Sequence, residues 1–131
     1  MGMMHAVDAG AEKPDSAFGP EVWSREKELL SSIDSVSNPE EVALTYLKLA
    51  RIFRDNHREL TYLDRAEEAA SKTRAPEPGV TIMLLRLEFY SAYGAMSRFS
   101  DYAEFVKGRL GSMKDLRLSN VEYLVIKRHV D

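Results

Sequence analysis

The sequence predicts an all-α protein in which about six antiparallel helices stack as helical hairpins, in a regular superhelix or an irregular bundle. Apolar residues after position 18 recur at the three- and four-residue spacing of amphipathic helices. Helix start signals recur as well, among them Asn38-Pro39. The links between the predicted helices are short, which favours antiparallel neighbours.

Length and composition fit a single soluble domain. The chain has 131 residues, 44% of them hydrophobic and 30% charged, and its formal net charge is −3. Residues 1–18 predict a flexible N-terminal tail, because glycine, proline and small residues occur there without a sustained period. The helical pattern over residues 19–131 predicts a single helical domain. No apolar run approaches the ~20 residues of a membrane-spanning helix. We therefore expect no contact with a membrane. The absence of cysteine suits a reducing compartment, so we expect a cytoplasmic protein.

The first three predicted helices follow one another closely. The first begins at Pro20, and its apolar face is interrupted by one polar residue, Glu26. The second spans about residues 39–55 behind the cap Asn38, and its apolar stripe is wide enough to predict burial against two neighbours. The third spans about residues 58–74, and its alanines allow close helix packing.

The next predicted helix, about residues 80–96, is apolar on both sides and is expected to be the most buried. A fifth helix begins near Ser100 and ends at Gly111. The last begins at Ser119 with a capping box. Without that cap, residues 121–126 would fit a strand, and this alternative stays open.

One residue pattern extends over the second and third predicted helices. In the second helix, the order aromatic, leucine, small, aromatic is formed by Tyr46, Leu49, Ala50 and Phe53. The third helix adds apolar and small residues at Leu63, Ala66 and Ala69. These residues resemble the hairpin of a tetratricopeptide repeat. A poorer second match extends the resemblance over about residues 39–111, with larger side chains in place of small ones at Tyr90, Tyr102 and Arg109.

The resemblance implies a stack of hairpins with a concave groove that binds peptides. Proteins of that family are mostly adaptors and scaffolds. An unrelated bundle of alternating helices fits the same residues, and this interpretation also stays open.

The sequence nominates no catalytic or metal-binding residues and no cofactor. Its histidines, His5, His57 and His129, have no spacing that places two ligands on one helical face. No Glu-x-x-His pair, glycine-rich phosphate loop or G-x-S-x-G motif occurs. An enzyme built on a helical bundle is therefore the last of the functional hypotheses.

A basic stripe is the candidate binding site. Lys48, Arg51 and Arg54 recur every three residues, and Arg58 follows the link. In the tetratricopeptide-like register, Arg51 and Arg54 face the groove, where guanidinium groups can hold a carboxylate of a peptide. The alternative is a solvated helix face on which Arg51 pairs with Asp55.

The first functional hypothesis is a non-enzymatic protein–protein interaction module, an adaptor or scaffold, that binds a peptide or protein partner of acidic character. The alternative is an oligomeric structural protein that self-associates through its terminal helix, about Val121 to Val130. The segment 105–131 carries more bases than acids, but the negative net charge opposes nucleic-acid binding, and none is expected. Trp23 either anchors a partner or seals the end of the helix stack.

Overall fold

The computed structural model describes residues 12–75, 77–93, 100–106 and 108. This part of the chain is all-α and contains no strand, and its helices pack as adjacent antiparallel pairs. A 3₁₀ turn, Asp15–Ala17, precedes four helices, which we number α1 (Pro20–Asp34), α2 (Pro39–Ile52), α3 (His57–Ala70) and α4 (Glu77–Tyr93). Residues 100–106 are helical as well. The predicted fold class is confirmed, and the last predicted helix lies outside the described residues.

The chain divides into two compact units, and the boundary falls within α4 between Ile82 and Met83. The first unit is Glu12–Ile82, and the second contains the described residues 83–93, 100–106 and 108. The single domain over residues 19–131 stays a prediction.

The hairpin of α2 and α3 forms the centre of the first unit. Helix α2 begins where the sequence predicts, because the Asn38 side chain accepts a hydrogen bond from the Glu40 amide at 2.9 Å and Pro39 occupies the first helical position. The helix ends at Ile52, three residues before the predicted end at Asp55. The chain turns there, and Asp55 adopts a left-handed conformation with φ 70°.

Small and apolar residues of both helices fill the space between α2 and α3. The fully buried members are Ala43, Leu47, Leu49, Ala50, Phe53, Leu63 and Ala66. The alanines let the two backbones approach closely, as the sequence indicates. The apolar stripe of α2 is narrower than predicted, because Leu44 is 43% exposed.

Helix α1 packs on α2. Leu29 is its buried residue, whereas Trp23 and Glu26 are partly buried on the side that faces the hairpin. Segment 12–18 lies within the same unit and contacts the turn between α2 and α3. Residues 12–18 therefore have defined contacts, although the sequence pattern assigned them to a flexible tail.

Helix α4 begins at Glu77, three residues before the predicted start. Pro78 lies in its first turn, where an amide hydrogen is not needed for intrahelical bonding. Burial on several sides is confirmed, since Val80, Ile82 and Leu87 are all inaccessible to solvent or nearly so.

Candidate functional site

The four bases predicted as a binding site lie in two different environments. Lys48 and Arg51 are exposed on α2, and Arg54 is exposed in the turn that follows. Arg58 lies in the first turn of α3 and is half-buried. The structure therefore keeps the first two together and separates Arg58 from them.

The exposed side of α2 carries Leu44, Lys48 and Arg51, which we call the outer face. Their spacing of four and three residues aligns them along the helix. Within the described residues, neither Lys48 nor Arg51 forms an ion pair, and the alternative pair between Arg51 and Asp55 is not formed. The outer face thus combines two exposed bases with an exposed leucine.

Arg58 instead contacts aromatic rings and carboxylates inside the first unit. Its guanidinium carbon lies 4.9 Å from the centre of the Trp23 ring and 5.8 Å from that of Phe53. Its terminal nitrogens lie 3.6 Å from Asp15 Oδ2 and 3.7 Å from Glu26 Oε2. These distances describe cation–π contacts combined with two ion pairs. Such a side chain holds the fold together at this point, and its charge is already balanced.

Asn56 connects segment 12–18 to the hairpin. The residue is 0% exposed and caps α3, since its Oδ1 accepts a hydrogen bond from the Arg58 amide at 2.8 Å. Its Nδ2 donates to the Lys13 carbonyl at 2.8 Å and to Asp15 Oδ1 at 2.9 Å. Both the oxygen and the nitrogen of the side-chain amide are therefore hydrogen-bonded. A buried amide without these partners would destabilise the fold.

The Asp15 carboxylate receives several donors at once. Besides Asn56, His57 Nε2 lies 3.1 Å from its Oδ1, and Arg58 lies beside Oδ2. The hydrogen bond from Asn56 lowers the pKa of Asp15 most, desolvation opposes this effect, and the charges of Arg58 and His57 lower the pKa further. The ionised carboxylate is thus the form that fits this site.

Glu26 is the polar interruption on the apolar face of α1, and the structure gives its partners. The Tyr62 hydroxyl donates to Glu26 Oε2, and the same oxygen lies near Arg58. Desolvation raises the pKa of Tyr62 most, and the hydrogen bond and the charge of Glu26 raise it further. Tyr62 therefore stays protonated and serves as a donor to the partly buried carboxylate.

Aromatic rings continue from these polar groups into the hairpin. Phe18 packs edge-on against Phe53 at 5.1 Å and against Trp23 at 6.0 Å between ring centres. Trp23 lies 5.4 Å from Phe53, which in turn lies 5.9 Å from Tyr62. These distances are those of favourable aromatic pairs. Trp23 thus packs within a cluster, and the Arg58 guanidinium lies over its ring.

Several of these residues were missed at the sequence level. Asn56 carried a usable signal, because asparagine immediately before a helix is a preferred cap. Glu26 carried a weaker one, as an acid on an otherwise apolar face. Asp15 and Phe18 carried none, since their partners are about 40 residues away in sequence.

Among the described residues of the second unit, one aromatic side chain is largely exposed. Phe105 is 51% exposed and lies 5.6 Å from Tyr102, which lies 5.5 Å from Tyr90 between ring centres. Phe105 and Tyr102 belong to the helical segment 100–106. The terminal helix predicted to mediate self-association lies outside the described residues.

Among the described residues, no group of acids and histidines could hold a metal ion. None of the helices in this part of the chain has the length and apolar character needed to cross a membrane.

The chain matches no protein-family model, no curated protein and no solved structure.

Proposed function

We propose that the protein is a non-enzymatic interaction module, an adaptor or scaffold, whose outer face on α2 binds an acidic segment of a partner protein. The observation that carries this proposal is the outer face itself. Lys48 and Arg51 are exposed, aligned and without ion pairs in the described part, and Leu44 is exposed beside them. Each base can therefore take a new carboxylate without giving up an existing one.

The opposite side of α2 gives this face a fixed geometry. Leu47 and Ala50 of α2, and Phe53 directly after its end, are buried in the hairpin. Bases on a packed helix keep their spacing, so a partner does not have to order the backbone when it binds. Arg51 can form paired hydrogen bonds with a carboxylate, and Lys48 adds a second charge one turn away. Leu44 adds apolar area that an acidic amphipathic segment can cover.

Two further elements belong to the same proposal. The likeness of α2 and α3 to a tetratricopeptide hairpin is supported by the burial of Leu49, Ala50, Leu63 and Ala66 at the positions of that pattern. The proposed likeness to this hairpin depends on these four residues. A cytoplasmic location, as expected from the absence of cysteine, completes the proposal.

The test begins with a photo-reactive amino acid at Leu44, which marks whatever protein touches the outer face in cells. The captured partner is then purified, and its affinity is measured for the wild type and for Lys48→Glu/Arg51→Glu. We expect the double charge reversal to weaken binding at least tenfold, about 1.4 kcal/mol, and the wild-type affinity to fall as salt is raised.

A matched control separates a specific site from a change in net charge. Lys72→Glu/Arg74→Glu changes the net charge equally at two exposed positions after α3. This variant should bind as the wild type does. If both double variants weaken binding equally, the loss is a general effect of net charge and not of a site on the outer face. If Lys48→Glu/Arg51→Glu binds as the wild type does, the partner binds another surface.

Self-association is the second candidate function, and the exposure of Phe105 beside Tyr102 favours it. An aromatic side chain that is half-exposed can become buried against a second copy of the chain. Sedimentation at increasing concentration tests this candidate, with Phe105→Glu as the variant. We expect a wild-type dimer that the substitution shifts to monomer, and a wild type that stays monomeric would exclude this interface.

A further inference from the structure

Segment 13–18 contacts the turn between α2 and α3 at two side chains three residues apart. Asp15 supplies a carboxylate, and Phe18 supplies an aromatic ring. The short 3₁₀ turn Asp15–Ala17 lies between them, Phe18 follows it in an extended conformation, and both side chains contact the same hairpin. The segment has the form of a short linear motif seated on a surface.

We infer that the surface formed by Trp23, Phe53, Asn56, His57 and Arg58, here called the turn site, binds short peptides with an acidic residue three positions before an aromatic one. The chain's own Asp15–Phe18 fills the turn site as a displaceable internal ligand. This surface differs from the outer face, so the inference goes beyond the proposed function.

The acidic half of the motif meets donors that other contacts already hold in position. Asn56 is fixed because its Oδ1 caps α3, and its Nδ2 then points to Asp15 Oδ1 at 2.9 Å. Arg58 is fixed by its position over Trp23 and beside Glu26. Donors that are ordered before binding favour a carboxylate, because little side-chain entropy remains to be lost.

The backbone of the segment is recognised as well. The Lys13 amide donates to the Asp55 carbonyl at 2.7 Å, and Asn56 Nδ2 donates to the Lys13 carbonyl at 2.8 Å. Main-chain bonds of this kind do not depend on the residue type at position 13. They would form equally with a peptide from another chain.

The aromatic half of the motif packs against an existing ring cluster. Phe18 meets Phe53 at 5.1 Å and Trp23 at 6.0 Å between ring centres, in both cases in a T-shaped arrangement. Trp23 and Phe53 also contact each other and Arg58, and Phe18 takes no part in these contacts. The cluster can therefore receive the ring of a different peptide in the same place.

The internal motif is held more weakly than the hairpin that receives it. Its 3₁₀ turn contains no buried residue, and residues 12–14, 16 and 17 are exposed. The hairpin has its own buried core, which includes Leu49 and Leu63. Segments with few buried contacts open at a lower free energy than the core does. A motif in trans then competes with the internal one by mass action.

The experiment uses the full chain and a fluorescent peptide with the sequence of residues 12–19, EKPDSAFG. Binding is measured for the wild type, for Asp15→Ala/Phe18→Ala and for the control Ser16→Ala, which changes an exposed residue of the same turn. We expect the double variant to bind the peptide at least tenfold more tightly than the wild type, because the carboxylate and the ring of the internal motif no longer compete for the turn site. Ser16→Ala should behave as the wild type.

The peptide carries its own control, since a version with alanine in place of the aspartate should lose most of its affinity. Trp23, the only tryptophan of the sequence, reports on the site directly. Its emission should shift in Asp15→Ala/Phe18→Ala and return toward the wild-type value when peptide is added. This return would be absent if the variant had unfolded.

The inference is overturned if the double variant keeps its helical content and binds the peptide no better than the wild type does. It is also overturned if the peptide lacking the aspartate binds equally well, because the contacts of Asp15 would then have no part in recognition. Should the double variant unfold, Asp15→Ala alone replaces it, with the same expected gain in affinity of smaller size.

Discussion

Arg51 on the outer face and Arg58 at the turn are separated by about two helical turns of sequence, yet their surroundings are opposite. Arg51 is exposed and forms no ion pair in the described part of the chain. Arg58 lies over Trp23 and between the carboxylates of Asp15 and Glu26. The first can accept a partner from outside, and the second already has partners inside.

This difference shows that the regular spacing of basic residues along one helix does not predict the environment of a basic residue on the following helix. Lys48 and Arg51 lie on the same face, as their spacing predicts, because both belong to α2. Arg58 belongs to α3, where residues distant in sequence decide what it contacts. A binding role for Arg58 would therefore require the internal motif to leave, whereas Arg51 needs no such step.

The largest loss of stability is expected from truncating Phe53, the buried residue directly after the end of α2. Phe53→Ala removes a fully buried ring that contacts Phe18, Trp23 and Tyr62. We expect a loss of about 3–5 kcal/mol in the free energy of unfolding, measured by urea titration. Leu44→Ala on the outer face should cost about 0.5 kcal/mol or less. Similar losses for both substitutions would contradict the assignment of inner and outer sides.

The two asparagine caps should differ in how much stability they contribute. Asn38 and Asn56 each accept a hydrogen bond from the amide two residues on, but Asn38 is exposed and Asn56 is buried. Asn56→Ala also removes the side-chain donor to the Lys13 carbonyl and one of the donors to Asp15, so we expect a loss of about 2–4 kcal/mol. Asn38→Ala loses the cap alone, about 1 kcal/mol. Urea denaturation of both variants measures the difference, and equal losses would mean that the contacts to segment 13–15 add no stability.

The two caps also show which parts of the fold could be predicted from sequence. The start of α2 depends on Asn38, Pro39 and the amides that follow at once, so a local pattern sufficed. The antiparallel hairpin depended on short links and on alanines at helical spacing, which are also local signals.

The turn site could not be predicted in the same way, because it joins residues that are far apart in the chain. Asn56 Nδ2 reaches the Lys13 carbonyl across 43 positions and Asp15 Oδ1 across 41. Segment 12–18 has no helical period that would have marked it as packed. Of the predicted site, Lys48, Arg51 and Arg54 are exposed, and their role in binding stays a prediction. The environment of Arg58 depends on tertiary contacts that its spacing could not reveal.

Acid titration offers a smaller test of the turn site. The pKa of Asp15 is lowered in the folded chain, so its ionised form contributes stability that is present above the unfolded value of about 3.9. That contribution is lost as the pH falls through the lower pKa of the folded state. Asp15→Asn keeps the shape of the side chain and removes the charge. We expect the difference in unfolding free energy between wild type and variant to shrink as the pH is lowered from 7 to below 3, and a constant difference would contradict the charge contacts.

The smallest expected effect concerns the backbone beneath the turn site. Asp55 has φ 70°, a conformation that costs most residues with a side chain about 1–2 kcal/mol and glycine almost nothing. Its amide bonds to Glu59 Oε1 at 3.0 Å and its carbonyl to the Lys13 amide, and both bonds involve only the backbone of position 55. Asp55→Gly keeps those bonds and relieves the strain but frees the unfolded chain, so we expect a change within about 0.5 kcal/mol.

Asp55→Ala should lose about 1 kcal/mol, because alanine has the steric penalty without the polar side chain that makes aspartate tolerable there. Lys27→Gly, in the exposed interior of α1, provides the matched glycine control and should lose about 0.5–1 kcal/mol. Thermal and urea unfolding of these three variants compare the same residue in two backbone conformations. A glycine that is equally harmful at positions 27 and 55 would mean that the turn does not require the left-handed conformation. The Asp55 carbonyl would then have no fixed direction toward segment 13–18, and the internal motif would lose one of its two backbone anchors.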